Sequence, residues 1–220
     1  MGANSTQAAR WRRNYRQRFV EEEVASLEQS QELQKIEQML IALPNYVASP
    51  LSINSLRKKL EVSHKSVSKW LDIAERIYGI FRVYPFQSSK LNSLKKEAKH
   101  YHWDWALVDD PAARFENFIA SHLLKWVHYK QDAEGLDYDL HYFRDSSQRE
   151  VDFIISNKAK PIQAIEVKLA DGPVSKHLIY LKNKFPNMKA IQVSLKGKKH
   201  YVSSDGVHVM PWLELLPNLA

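Results

Sequence analysis

Two short runs constrain this chain more than any other feature. They are Glu150-Val151-Asp152-Phe153-Ile154-Ile155 and Ile165-Glu166-Val167-Lys168, apolar but interrupted by charge. Their β-branched and aromatic residues favour strands. The polar stretch Asn157-Lys158-Ala159-Lys160 between them predicts a hairpin. A turn centred on Ala159 sets Phe153 opposite Ile165 and Asp152 opposite Glu166. Strand side chains alternate between faces. Val151, Phe153, Ile155, Ile165, Val167 and Leu169 then share an apolar face, and Asp152, Glu166 and Lys168 share the other. The same register sets Glu150 opposite Lys168, so a purely structural cross-strand ion-pair cluster is the competing reading.

Directly opposed side chains lie about 5 Å apart. Two carboxylates that close repel unless a cation lies between them. A hard divalent ion, Mg²⁺ or Mn²⁺, suits their oxygens. Lys168 could orient an attacking hydroxide or stabilise charge on a phosphate in flight. Metal-assisted phosphodiester hydrolysis uses all three groups. A third candidate ligand is Glu116, in Arg114-Phe115-Glu116-Asn117, near the start of a helix that Pro111 can open. That helix runs to about Tyr129, with Phe115, Phe118, Ile119, Leu123 and Val127 inward.

The rest of the second half reads as alternating elements. Strands are expected at residues 101–108, 140–144, 150–156, 162–169 and 189–195, with short β pieces near Tyr201 and Val207. A helix is expected at 174–184. Such a mixture predicts an α/β domain with a mixed sheet.

The first half has a different texture. Residues 7–43 have helical periodicity, with Arg10, Arg12, Arg13, Arg16 and Arg18 at the start. Residues 53–60 predict a helix capped by Ser52, with Ile53, Leu56 and Leu60 on one side. The turn Glu61-Val62-Ser63 follows, and a glycine would suit it better than Glu61. Ser63 caps a second helix, from His64 to about Ile77, with Val67, Trp70 or Leu71, and Ala74 inward. A strand-like run, residues 80–84, stops at Pro85. Helix, tight turn, helix and strand is the order of a winged helix-turn-helix. Such a motif leads its second helix into the DNA major groove, here with His64, Lys65, Ser66 and Lys69.

Charge agrees with that division. Of the 32 Lys+Arg and 25 Asp+Glu, 17 and 10 fall in residues 1–100, so the whole net +7 belongs to the first half. A polyanionic partner such as DNA is the natural reading. The chain has no cysteine, which excludes disulfides, thiol nucleophiles and thiolate metal sites. No apolar run is long enough to span a membrane, and residues 1–19 lack the apolar stretch of a signal peptide. A cytoplasmic location is expected. The six glycines include no pair with P-loop or dinucleotide-fingerprint spacing, so no ATPase activity is expected of this chain alone.

Asp152, thirteen intervening residues, then Glu166-x-Lys168 resembles the half-motif of the PD-(D/E)XK nuclease superfamily, with Glu116 as its upstream helical carboxylate. More widely the chain resembles the C-terminal region of the archaeal-type AAA+ ATPase family. There a winged helix and a domain with a restriction-nuclease-like fold follow a P-loop ATPase module. The matching stretches are residues 52–86, Tyr101-His102-Trp103-Asp104-Trp105, Arg114 to Asn117, His122 to Lys125, Tyr142 to Asp145, 150–155 and 165–168. The resemblance implies an α+β chain. A basic helical segment spans 1–50, a winged helix-turn-helix 51–86, a basic linker 87–100, and an αβββαβ restriction-endonuclease-like domain with a mixed sheet 101–220. It implies a Mg²⁺-dependent endodeoxyribonuclease that uses Asp152, Glu166, Lys168 and Glu116. The alternatives are an inactive nuclease-fold docking module that acts with a separate AAA+ ATPase, or a winged-helix regulator. The ATPase module is missing from these residues. A stand-alone remnant, a fragment of a longer product and a split gene all fit.

Overall fold

A computed structural model describes residues 30–87 and 97–219. The arginines of residues 10–18, most of the helix read at 7–43, and Lys90, Lys95 and Lys96 lie outside the described residues.

Among the described residues three helices come first: α1 (Ser30–Ala42), α2 (Ile53–Leu60) and α3 (His64–Arg76). The caps are those the sequence predicts. Ser52 Oγ accepts from Ser55 N at 3.4 Å, and Ser63 Oγ from Ser66 N at 2.9 Å. Glu61 ends α2 with φ 56°, the left-handed conformation that glycine adopts most easily. The Val62 N–H closes back onto the Arg57 carbonyl. Ile36, Met39, Leu40, Leu43, Leu56, Leu60, Val67, Trp70, Leu71 and Ala74 fill a core of their own.

The strand β1 (Ile80–Pro85) ties those helices to the rest. Ile80 belongs to the helical core, whereas Phe81 and Val83 belong to the next one. Arg82 on the same strand bonds Asp72 at 2.8 Å and Glu75 at 2.9 Å, both on α3. β1 enters one eight-stranded sheet with β2 (Lys99–His102), β3 (Tyr138–Arg144), β4 (Glu150–Asn157), β5 (Lys160–Lys168), β6 (Lys189–Ser194), β7 (Tyr201–Val202) and β8 (Val207–Pro211). The strand order is β2-β1-β3-β4-β5-β6-β8-β7, with parallel and antiparallel pairs mixed. The chain is thus a mixed α+β structure.

The long helix α4 (Pro111–Glu134) covers one face of the sheet. Asp110 caps it through Ala113 N at 2.8 Å, and Gly135 ends it at φ 65°. The shorter α5 (Lys176–Lys184) covers the opposite face, over Val151, Ile154, Ala164 and Ala190. A final turn, α6 (Trp212–Leu215), adds Leu215 to the α4 side.

The segment read as a strand over residues 101–108 is divided otherwise. β2 ends at His102, and residues 105–107 form a 3-10 turn capped by Asp104. The strand instead starts earlier, so Lys99 and His100 lie in the sheet rather than in a solvated basic linker. An amide holds this edge strand to α4: Asn117 accepts from His102 N at 2.8 Å and donates to His102 O at 2.7 Å.

His100 illustrates what the linker reading missed. It is buried, and its Nε2–H donates to the Leu43 carbonyl at 2.9 Å. Burial pushes its pKa down to about 4, against a small opposing effect of that bond. The unfolded chain therefore binds a proton near pH 6.5 that the folded chain refuses until about pH 4. Stability from this residue is complete above pH 6.5 and falls as pH drops. Urea unfolding should show wild type losing about 2 kcal/mol relative to His100→Gln between pH 7 and pH 5. A pH-independent difference between the two proteins would refute the buried neutral imidazole.

Candidate functional site

The β4–β5 register at the site agrees with the spacing: Phe153 faces Ile165. The chain reaches that register differently. The turn is the two residues Lys158 and Ala159, with φ 49° and 59°, and a register shift at Ile155/Ser156 restores the pairing. Positive φ at both central residues is the twist that a two-residue hairpin requires.

The expected clean alternation does not hold. On the β3 side, His141 faces Ile154 and Phe143 faces Val151, so β4 spends three steps where β3 spends two. This bulge re-aims the strand. Val151 packs with Ile154 on the α5 side, and Phe153 packs with Ile155 on the α4 side. Asp152 sits between them and interacts with Lys99 of β2 and Glu116 of α4. The β4–β5 ladder ends at Phe153–Ile165, and Val167 N–H donates to Asp152 Oδ2 at 2.8 Å. Glu150 does not pair with Lys168 either; its carboxylate lies 2.7 Å from Lys99.

Glu116, Asp152, Glu166 and Lys168 nevertheless converge. Lys168 Nζ donates to Glu166 Oε1 at 2.7 Å. Burial raises the Glu166 carboxyl, and the Asp152 charge raises it further, against the pull of Lys168. Burial also raises Asp152, against the opposing charge of Lys99 and the Val167 N–H. Glu116 is pushed up to about 8 by burial and by Asp152, despite bonds from Lys99 and Tyr101. Burial alone would lower Lys168, but its bond to Glu166 and the charges of Glu166 and Asp152 raise it.

Three contributors were not among the candidate residues. Lys99 is 0% exposed, yet its ammonium lies 2.7 Å from Glu150, 3.3 Å from Glu116 and 3.8 Å from Asp152. Tyr101 OH donates to Glu116 Oε1 at 2.7 Å. Glu150 is the third carboxylate around Lys99. A period-two signal was available in Lys99-His100-Tyr101-His102: it places Lys99 and Tyr101 on one face of a strand. Arg144 and Asp145, near the same strands, close a turn. Asp145 Oδ1 accepts from Ser147 N at 2.9 Å, and Oδ2 from Arg149 Nε at 2.7 Å.

Carboxylate oxygens are the donors that hard divalent cations prefer. Glu166 is 6% exposed and its Oε2 is buried without a hydrogen-bond partner. Among the described residues, no group of three His, Cys, Asp or Glu is arranged to hold a metal ion. Two carboxylates, with waters and substrate oxygens completing the shell, are the common arrangement for Mg²⁺.

The second candidate surface is the start of α3. His64, Lys65 and Lys69 are exposed there. Ser66 is half-buried, and its Oγ lies 2.9 Å from Ser63 Oγ within the cap. His64 lines a cleft with Asn54, Arg82, Tyr84 and His100. His100 and Lys99 point to opposite faces of β2, so this cleft and the carboxylate cluster flank one strand.

A family described as Domain of unknown function (DUF8612) matches residues 2–134, more than half of the chain. A second, described as Domain of unknown function (DUF4143), matches residues 112–215, which carry all four candidate catalytic residues. No curated protein and no solved structure gives a significant match.

Proposed function

Because the chain belongs to the family of the domain of unknown function DUF8612, whose description assigns no activity, we propose a function from the site itself: metal-dependent hydrolysis of DNA phosphodiesters. What supports the reading is the convergence of Glu116 from α4, Asp152 from β4, and Glu166 and Lys168 from β5 in one largely buried cluster. The finer architecture belongs to the same proposal. Helices α2 and α3 with β1 are read as a winged helix, and α4 with β3 to β6 as a nuclease-like αβββαβ unit.

Asp152 and Glu166 would hold Mg²⁺ or Mn²⁺. Such an ion, when bound, supplies Lewis-acid polarisation of the scissile phosphoryl group. Asp152 is fixed for this by the Val167 N–H. Lys168, with its raised pKa, remains an ammonium at neutral pH. It therefore serves as a donor that orients the attacking water and stabilises charge on the phosphate, not as a base. Glu116 assists from α4. Lys65 and Lys69 at the exposed start of α3 would contact DNA, with His64 and Ser66 beside them.

One observation favours a second reading. Lys99 already places a cation among the acids, so a nuclease-like unit without turnover, docking DNA for a separate AAA+ ATPase, is the runner-up. Domains of the DUF4143 kind are commonly associated with AAA+ ATPases.

The groove contact is tested by a DNA shift assay across a salt series. The Lys65→Ala, Lys69→Ala double variant should bind roughly tenfold or more weakly, with a salt slope lower by about two. Unchanged affinity and slope would remove α3 from the interface.

A further inference from the structure

Lys99 is the least expected residue of the molecule. Lysine is almost never fully buried unless paired. Here the ammonium is enclosed by Glu150, Glu116 and Asp152, and it lies 5.5 Å from the Tyr142 ring. Glu116 Oε1 accepts from both Lys99 and Tyr101. Glu166 is the carboxylate of the set with a buried oxygen that has no partner. The acids thus fall into two groups. Glu150 and Glu116 share the one Lys99 ammonium, whereas Glu166 bonds Lys168 through Oε1 and has its Oε2 buried without a hydrogen-bond partner.

We infer that Lys99 is a positioning residue that occupies the place of a second divalent cation, so that the site takes a single metal ion, at Asp152 and Glu166. The inference rests on the proposed metal centre and assigns its stoichiometry. An ammonium and a divalent ion both suit carboxylate oxygens, and two such cations cannot share the space between Glu116, Glu150 and Asp152. A chain-borne cation there also keeps Glu116 bonded to the protein rather than to the metal. In chemical terms the site is a one-metal centre with a built-in counter-ion, which suits a substrate that brings its own phosphate oxygens to the ion.

The test is calorimetric titration of Mn²⁺ into wild type and Lys99→Met, with thermal melting of both proteins with and without Mn²⁺. Wild type should bind one ion per chain. Lys99→Met should bind two, melt lower than wild type without metal, and regain much of that loss in millimolar Mn²⁺. A purely structural lysine would not turn one bound ion into two. One ion in both proteins overturns the role of Lys99 and leaves the metal centre standing, as do two ions in wild type. Failure of Lys99→Met to fold even in Mn²⁺ also overturns it, since the ion should take the ammonium's place. No ion in wild type overturns the metal centre and this inference together.

Discussion

Lys168→Met should lower the rate of Mg²⁺-dependent DNA cleavage by about 10²- to 10³-fold while the fold and the metal affinity survive. Methionine keeps the apolar stem but removes the ammonium. The Lys168 side chain is 42% exposed, so its truncation opens no core cavity. Removing its charge beside Glu166 leaves the acids more negative, which strengthens their hold on a cation. Loss of rate with metal binding retained therefore isolates the ammonium's part in the chemistry. A variant that cleaves at the wild-type rate would assign Lys168 to a structural pair with Glu166. Circular dichroism on the same samples excludes unfolding as the cause.

Trp70→Ala should destabilise the protein by about 3–5 kcal/mol in urea unfolding. Trp70 is 2% exposed at the centre of the helical core, and its Nε1 donates to Glu32 Oε2 at 3.2 Å. The substitution removes a large buried ring and strands a half-buried carboxylate. A single transition is expected, because β1 belongs to both cores through Ile80 on one side and Phe81 and Val83 on the other. Two separate transitions, with the helices lost first, would show that β1 does not couple the halves.

Much of this architecture was readable from local signals. The ranges of α2 and α3 follow from two serine caps and a 3.6-residue apolar period, both of which act within one turn of helix. Phe153 opposite Ile165 follows from two apolar strands and a short polar turn. What was not readable depends on distant partners. The bulge that turns Asp152 and Phe153 towards α4 has no glycine or proline to mark it. It shows only against the pairing of His141 and Phe143. β2 is a four-residue strand, Lys99-His100-Tyr101-His102, whose polar composition resembles a solvated connector. It is buried because Glu116, Asn117 and Glu150 satisfy it from distant elements of the chain. Glu116, Asp152 and Glu166 could be picked out as candidates, but Glu150 and the Lys99 ammonium among them could not, since a lysine's partners are not written beside it.

We propose that Asp152 and Glu166 form a metal centre that cleaves DNA. A nicking assay on supercoiled plasmid, with Mg²⁺ or with chelator, on wild type and Asp152→Asn, tests it most directly. Wild type should nick the plasmid only with Mg²⁺, and Asp152→Asn, folded and still able to bind DNA, should not. Equal nicking by both proteins, or none by wild type at any Mg²⁺ or Mn²⁺ concentration, would contradict the claim.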